Sequence, residues 1–183
     1  MSTTIKNLPP VRRIVTGINA EGKSYFVSDG PSPGILTVPE RPGYVVNNIW
    51  QTSATPAPIR EPDKAGDIRG TKPPKNGTVF RFLDIPPEAK DPEERKRMAE
   101  ATKRAIFTDL ANLGHSNRHA AHHTTLTIDY AVVIEGEVWA LMDEGELLMR
   151  PGDVLIQRGT AHAWSNRTDR IVRILFVLID GAE

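Results

Sequence analysis

The 183-residue sequence contains no cysteine. That absence excludes a disulfide framework, a thiolate metal centre and a cysteine nucleophile. Excess charge is missing too: 23 Lys and Arg balance 23 Asp and Glu. Nothing electrostatic therefore draws the chain to nucleic acid or to an anionic membrane surface. Near-zero net charge also does little to oppose self-association, which leaves room for an oligomer. No run approaches the roughly 18 apolar residues of a membrane span. The opening MSTTIKNLPPVRRIVTG has no continuous apolar core of the kind a secretory signal needs. The expectation is a cytoplasmic protein with no nucleic-acid and no membrane partner. A G-x-S-x-G elbow is absent, and GDIRGTK at 66–72 lacks the strand-to-helix setting of a phosphate loop.

Turn formers are plentiful: 14 Gly and 15 Pro are scattered between short apolar runs, which favours a β-rich fold. Residues 11–18 and 24–28 flank the turn-forming Asn19–Gly22 and predict a hairpin. Residues 35–38, 44–50 and 78–84 are further strand candidates. From Thr52 to Asn76 the chain is polar, rich in Pro and Gly, and aperiodic, which reads as a long excursion and a candidate lid. The period turns helical over 91–113. Asp91 can N-cap, Pro92 suits the first helical position, and Glu93 and Glu94 suit the positive end of the helix dipole. Met98, Ala101, Ala105, Ile106 and Leu110 form an apolar stripe, expected to be a packing face, before Gly114 ends the helix. From Asp129 onward short strands follow one another at regular spacing, with turns at Glu135–Gly136 and Asp143–Gly145. That pattern predicts an antiparallel barrel or jelly roll. No unit repeats, so a single domain is expected over 1–183, with strands, loop and helix in 1–118 and the core motifs in 119–180.

Residues 123–136 read HTTLTIDYAVVIEG, and 151–166 read PGDVLIQRGTAHAWSN. On a strand, residues two apart share a face. His123, Thr125 and Asp129 are therefore expected on one face and Tyr130 on the other. These stretches resemble the cupin superfamily, in particular small single-barrel cupins. The first cupin motif has Gly, five residues, His-x-His, three or four residues, Glu, six residues, Gly. Here the order is His123-x-Thr125, three residues, Asp129, six residues, Gly136. The second motif runs from a Gly to Pro-x-Gly-x-x-His and then Asn. Here it is Gly152, then Gln157-x-Gly159-x-x-His162, then Asn166. Thr125 stands at the second His, Asp129 at the Glu, Asn117 at the first Gly and Gln157 at the Pro.

The resemblance, specific over about 119–180, implies an all-β fold. It would be a single cupin or jelly-roll barrel with an N-terminal strand extension and one flanking helix. It also implies a homodimer and a metal held by His123, Asp129 and His162. Neutral imidazoles with a carboxylate suit Fe, Mn, Ni or Zn and leave coordination positions open. The alternative is a metal-free barrel that binds a small molecule in its polar interior. Asp129 or His123 is the candidate for moving a proton. Thr125, Gln157, Trp164, Arg81 and Trp50 are candidates for contacting a small-molecule substrate, Arg81 and Arg158 through a carboxylate. Core packing for the tryptophans and exposed ion pairs for the arginines are the commoner fates. His115 and His119 are expected to be solvated, His122 to point away from His123, Glu135 and Glu137 to be solvated, and Asp180 to lack a partner. The function implied is a metal-dependent lyase or isomerase, such as a dehydratase or decarboxylase, on a small oxygenated or carboxylated molecule. A non-catalytic binding cupin and an Fe(II) dioxygenase are the alternatives.

Overall fold

Strict alternation builds the sheets. The strand Thr127–Glu135 buries Thr127, Asp129, Ala131 and Val133 and turns Ile128 and Tyr130 outward, the period of two that a half-buried strand requires. A computed structural model describes residues 6–110 and 118–183. Its strands are β1 Arg12–Ile18, β2 Ser24–Pro31, β3 Gly34–Thr37, β4 Val45–Thr52, β5 Thr78–Ile85, β6 Thr127–Glu135, β7 Val138–Met142, β8 Glu146–Met149, β9 Val154–Arg158, β10 His162–Ser165 and β11 Val172–Asp180. One helix, α1 Pro92–Ala105, lies between β5 and β6. A six-stranded sheet in the order β3-β4-β5-β11-β6-β9 and a three-stranded sheet β10-β7-β8 share one core. Val79 and Leu83 of β5, Val138 and Ala140 of β7 and Ile174 and Phe176 of β11 meet there. This is the all-β barrel with one helix that the sequence predicts. Among the described residues no helix is long and apolar enough to cross a membrane.

Turn chemistry closes the strands where expected. Asn19 Oδ1 accepts from the backbone N–H groups of Glu21 and Lys23 at 3.1 and 2.8 Å. The β1–β2 hairpin forms its own two-stranded sheet. At Gly136 φ is +79°, and a Cβ there would sit 3.0 Å from the Ile171 carbonyl, so both conformation and space demand glycine. Asp180, expected to be alone, accepts from the Asn76 N–H at 2.7 Å.

The helix starts as predicted. The Asp91 carboxylate accepts from Glu93 N and Glu94 N at 3.3 and 3.2 Å, and Pro92 takes the first position. It ends at Ala105 rather than 113. The Ile106 carbonyl, which would continue the ladder to Leu110, is taken by Gly70 N–H at 3.1 Å, and Leu110 N–H turns to Phe107 O instead. Asp109 then accepts from the N–H groups of Thr71 and Lys72, both at 2.7 Å. Gly70 has φ +73°, and a Cβ on it would press to 2.7 Å from the Asp109 carboxylate. Gly114, His115 and Asn117 lie outside the described residues. Of the apolar stripe, Ala101 and Ile106 pack into the core as expected. Leu110 lines the barrel's cavity together with Ala99, Thr102 and Phe107, so helix and following turn cover it. The 52–76 excursion, the expected lid, contributes Thr71 to that lining and otherwise anchors the true one.

Asp109→Ala removes two charge-assisted bonds worth about 2–3 kcal/mol together. The variant is expected to melt about 5–10 °C lower, at roughly 2–4 °C per kcal/mol for a chain of this size. Hydrogen exchange should accelerate over 92–110 before it does in the sheets; uniform acceleration would show that no separate lid exists.

Candidate active site

The barrel encloses a cavity of about 90 Å³. Its apolar wall includes Leu83, Ile85, Phe107, Trp164, Phe176 and Leu178. Its polar groups are His123, His162, Asp129, Arg81, Arg41, Lys103, Tyr44, Thr71 and Thr102.

The two histidines come together from distant parts of the chain. His123 and His162 exchange both backbone hydrogen bonds at 2.9 Å as an isolated antiparallel bridge. Their rings lie 4.4 Å apart, centre to centre. His123 Nδ1 faces the Ala121 carbonyl at 2.9 Å, and His162 Nδ1 faces Thr160 O at 3.0 Å. A ring nitrogen facing a carbonyl must carry the proton, so each Nε2 is left as an acceptor. Burial pushes both pKa values down. For His162, with His123 beside it, the value falls to about 3. Both rings are therefore neutral at physiological pH. Nitrogen-detected NMR at pH 6 should show two neutral, Nδ1-protonated imidazoles; an imidazolium pattern at either residue would refute this tautomer assignment.

Asp129 lines the cavity from β6. Thr127 precedes it on the inner face of the strand, and the hydroxyls of Thr127 and of Thr125, just before the strand, bond each other at 2.8 Å. Burial raises the Asp129 carboxyl from 3.8 to about 6, against the pull of the Thr127 hydroxyl and the charge of Arg81. Its Oδ1 is buried without a hydrogen-bond partner. Arg81, on β5, is 2% exposed. Its Nη1 donates to Gly70 O at 3.0 Å, while Nε and Nη2 have no partner. Burial lowers its pKa to about 10, so it remains a cation. In the register, β11 separates the two residues, with Phe176 opposite Arg81 and Leu178 opposite Asp129. At about 4.8 Å per strand and a two-residue offset along them, their backbones stand roughly 12 Å apart.

Of the residues singled out in the sequence, His123, His162, Asp129, Arg81 and Trp164 line the cavity. Thr125, Gln157 and Trp50 are not in the lining. Thr125 is tied to Thr127. Gln157 Nε2 is turned onto its own turn, donating to Thr160 O at 2.8 Å and to the Thr160 hydroxyl, while among the described residues its Oε1 has no partner. A register shift between Asn48 and Trp50 sets Trp50 opposite Phe80. His119, expected in solvent, is buried. It accepts from Ala121 N–H on Nδ1 at 3.1 Å and bonds Glu88 through Nε2 at 2.7 Å, which anchors the segment leading to His123. His122 is likewise buried, with Asp143 3.6 Å from its Nε2. Tyr130 points outward as parity requires. Sequence reasoning missed Tyr44, Phe107 and Thr71. Phe107 stands one place from a stripe position, and the other two carry no local signal.

The metal set of His123, Asp129 and His162 is only partly assembled. Two acceptor nitrogens are adjacent, and Asp129 lines the same cavity. Among the described residues no three His, Asp or Glu side chains converge as a metal ion requires. A Glu at 129 would reach one methylene further. The shorter Asp stays with the Thr127 hydroxyl, and Thr125 supplies no imidazole. The residues present therefore do not fit the three-ligand centre.

No protein-family model matches the chain. Among characterised proteins it is similar to the cupin-domain-containing oxidoreductase fogC of Aspergillus ruber, 32% identical over 96% of this chain and 75% of the relative. Two others are the cupin-domain-containing oxidoreductases srdB of Neurospora crassa and virC of Hypocrea virens. The first is 42% identical over 92% of this chain and 72% of its own. The second is 29% identical over 94% and 78%. A solved cupin 2 conserved barrel domain protein from Salinispora arenicola is 10% identical, with TM-score 0.42 over 79% of this chain and 82% of its own.

Proposed function

This chain belongs to the cupin family, and on that premise we propose that it is an enzyme that moves a proton on a small oxygenated organic molecule held inside the barrel. One observation carries the reading. A largely apolar cavity brings together the Asp129 carboxyl, the Arg81 guanidinium and two neutral imidazoles, with acceptor or donor atoms left unused on each, beside Arg41 and Lys103. Buried polar groups are normally satisfied within the fold. Groups left open in an enclosed pocket are suited to a ligand.

Asp129 is the group that holds and moves the proton. A carboxyl poised at about 6 populates both acid and base forms near neutrality, the condition for efficient general acid–base catalysis. The Nε2 atoms of His123 and His162 accept a hydrogen bond from a substrate hydroxyl or enol and orient it toward Asp129. Trp164, packed edge-on to His162 and Phe176 at 6.0 and 5.4 Å, holds one ring and forms part of the dry wall. The reaction class is lyase or isomerase, in which a proton leaves carbon and returns to carbon or oxygen. The proposal contains no metal-dependent step.

The names of the relatives support a second reading, an oxidation or reduction of the same bound molecule. The experiment that separates the two follows small carbonyl and hydroxy acids in D2O by proton NMR while an electrode reads dissolved oxygen. The proton-transfer reading expects deuterium at carbon, or loss of water or carbon dioxide, without oxygen uptake. Substrate-dependent oxygen uptake with no exchange would overturn it in favour of the second. Tight binding without any conversion would make the protein a binding module.

A further inference from the structure

We propose that the cavity recognises the carboxylate of a short-chain organic acid on the Nε/Nη2 edge of Arg81. This rests on the reading of the cavity as the substrate site and adds the class of substrate.

An arginine offers a planar edge, Nε–H beside Nη2–H, that matches the two oxygens of a carboxylate. This chain uses that edge elsewhere. Arg173 grips Asp84 with Nε and Nη2 at 2.6 and 2.7 Å. Arg12 holds Asp29 with the same two atoms, both at 2.6 Å. Arg81 shares the chemistry but lacks the partner. Its Nη1 is tethered to Gly70 O, which orients the plane, and among the described residues nothing accepts from Nε or Nη2. Burying a cation with its best donor edge unused is costly. A fold that tolerates this in a cavity wall gains when an anion arrives.

The surroundings narrow the anion. Asp129, Arg41 and Lys103 line the same cavity. Thr71 Oγ1, also lining and among the described residues also without a partner, supplies one further donor. The flat Nε/Nη2 edge matches a planar carboxylate, and the small cavity disfavours a bulkier tetrahedral phosphate. Phe176, directly across the register from Arg81, and the neighbouring Leu83 give the acid's carbon chain an apolar bed. The cavity of about 90 Å³ is smaller than the roughly 150 Å³ that accommodates benzene. The acid therefore has only a few carbons when the lid is shut.

Calorimetric titration of the full chain tests this with three probes: propionate, its neutral isostere propionamide, and inorganic phosphate. Propionate is expected to bind at least 10-fold more tightly than either of the others. Arg81→Lys, which keeps the charge and loses the fork, should weaken propionate at least 10-fold. Arg81→Met should abolish binding while the thermal melt is retained. Equal affinity for propionamide, preference for phosphate, or unchanged propionate affinity in Arg81→Lys would overturn the proposal. The comparison of probes on the unmodified protein stands even if a variant fails to fold. Propionate bound through Arg81 without conversion of any acid tested would sustain this assignment while the proton-transfer reading fell.

Discussion

Asp129→Asn should lower turnover by about 10²- to 10⁴-fold, the usual contribution of a positioned acid or base, and should erase the limb of the pH–rate profile near 6. The same substitution is expected to stabilise the protein. The folded state holds this proton more tightly than the unfolded chain, because burial raises the carboxyl from 3.8 to about 6. Above pH 6 the wild type therefore carries a buried, under-bonded carboxylate at a cost of roughly 3 kcal/mol, at about 1.4 kcal/mol per tenfold change in proton affinity. That cost shrinks as pH falls from 6 toward 4, where both states are protonated. The variant should thus melt about 5–10 °C higher than wild type at pH 7.5, and the gap should close by pH 4. Lost activity with gained stability is the signature of a group retained for function rather than folding. A destabilised variant, or a gap that ignores pH, would mean that Asp129 is structural.

Asp84→Asn should have the opposite effect on stability. Asp84 and Arg173 face each other across β5 and β11, buried, with two bonds at 2.6 and 2.7 Å. Arg173 also donates to Pro9 O at 2.8 Å, tying the N-terminal segment over the sheet. Removing one partner of a buried pair strands the other charge, typically at about 3–5 kcal/mol, here a drop of about 10 °C in Tm. Replacing both by apolar residues, Asp84→Leu with Arg173→Met, should recover most of the loss, because a well-packed apolar pair often equals a buried ion pair. If the double variant were as unstable as the single, the bond to Pro9 rather than the ion pair would be the main contribution. Together the two substitutions separate two buried carboxylates of one barrel, one with its arginine and one without.

Local chemistry determined much of this molecule on its own. The strands of the second half, the glycine at the Gly136 turn, the outward Tyr130 and the Asp91 cap all follow from periods, caps and turn conformations within a few residues. The resemblance of the two motifs to the cupin pattern also singled out His123 and His162, which the barrel does place ring against ring. These features were legible because each depends on backbone geometry that neighbouring residues impose.

What only the tertiary structure decided is which side chain finds which partner. The Ile106 carbonyl is claimed by Gly70 and the Thr71 and Lys72 amides by Asp109. That clasp stops the helix a turn or more early and makes it a lid. His119 meets Glu88 from 31 positions away, and Arg173 meets Asp84 from 89. Among the described residues no carboxylate accepts from Nε or Nη2 of Arg81. A carboxylate in reach and a carboxylate out of reach look the same along the sequence. The difference lies in burial and distance, which arise only when strands far apart in the chain close on one cavity. For that reason the resemblance could name three candidate ligands, whereas the ring-against-ring placement of the imidazoles and the open edge of Arg81 belong to the folded barrel alone.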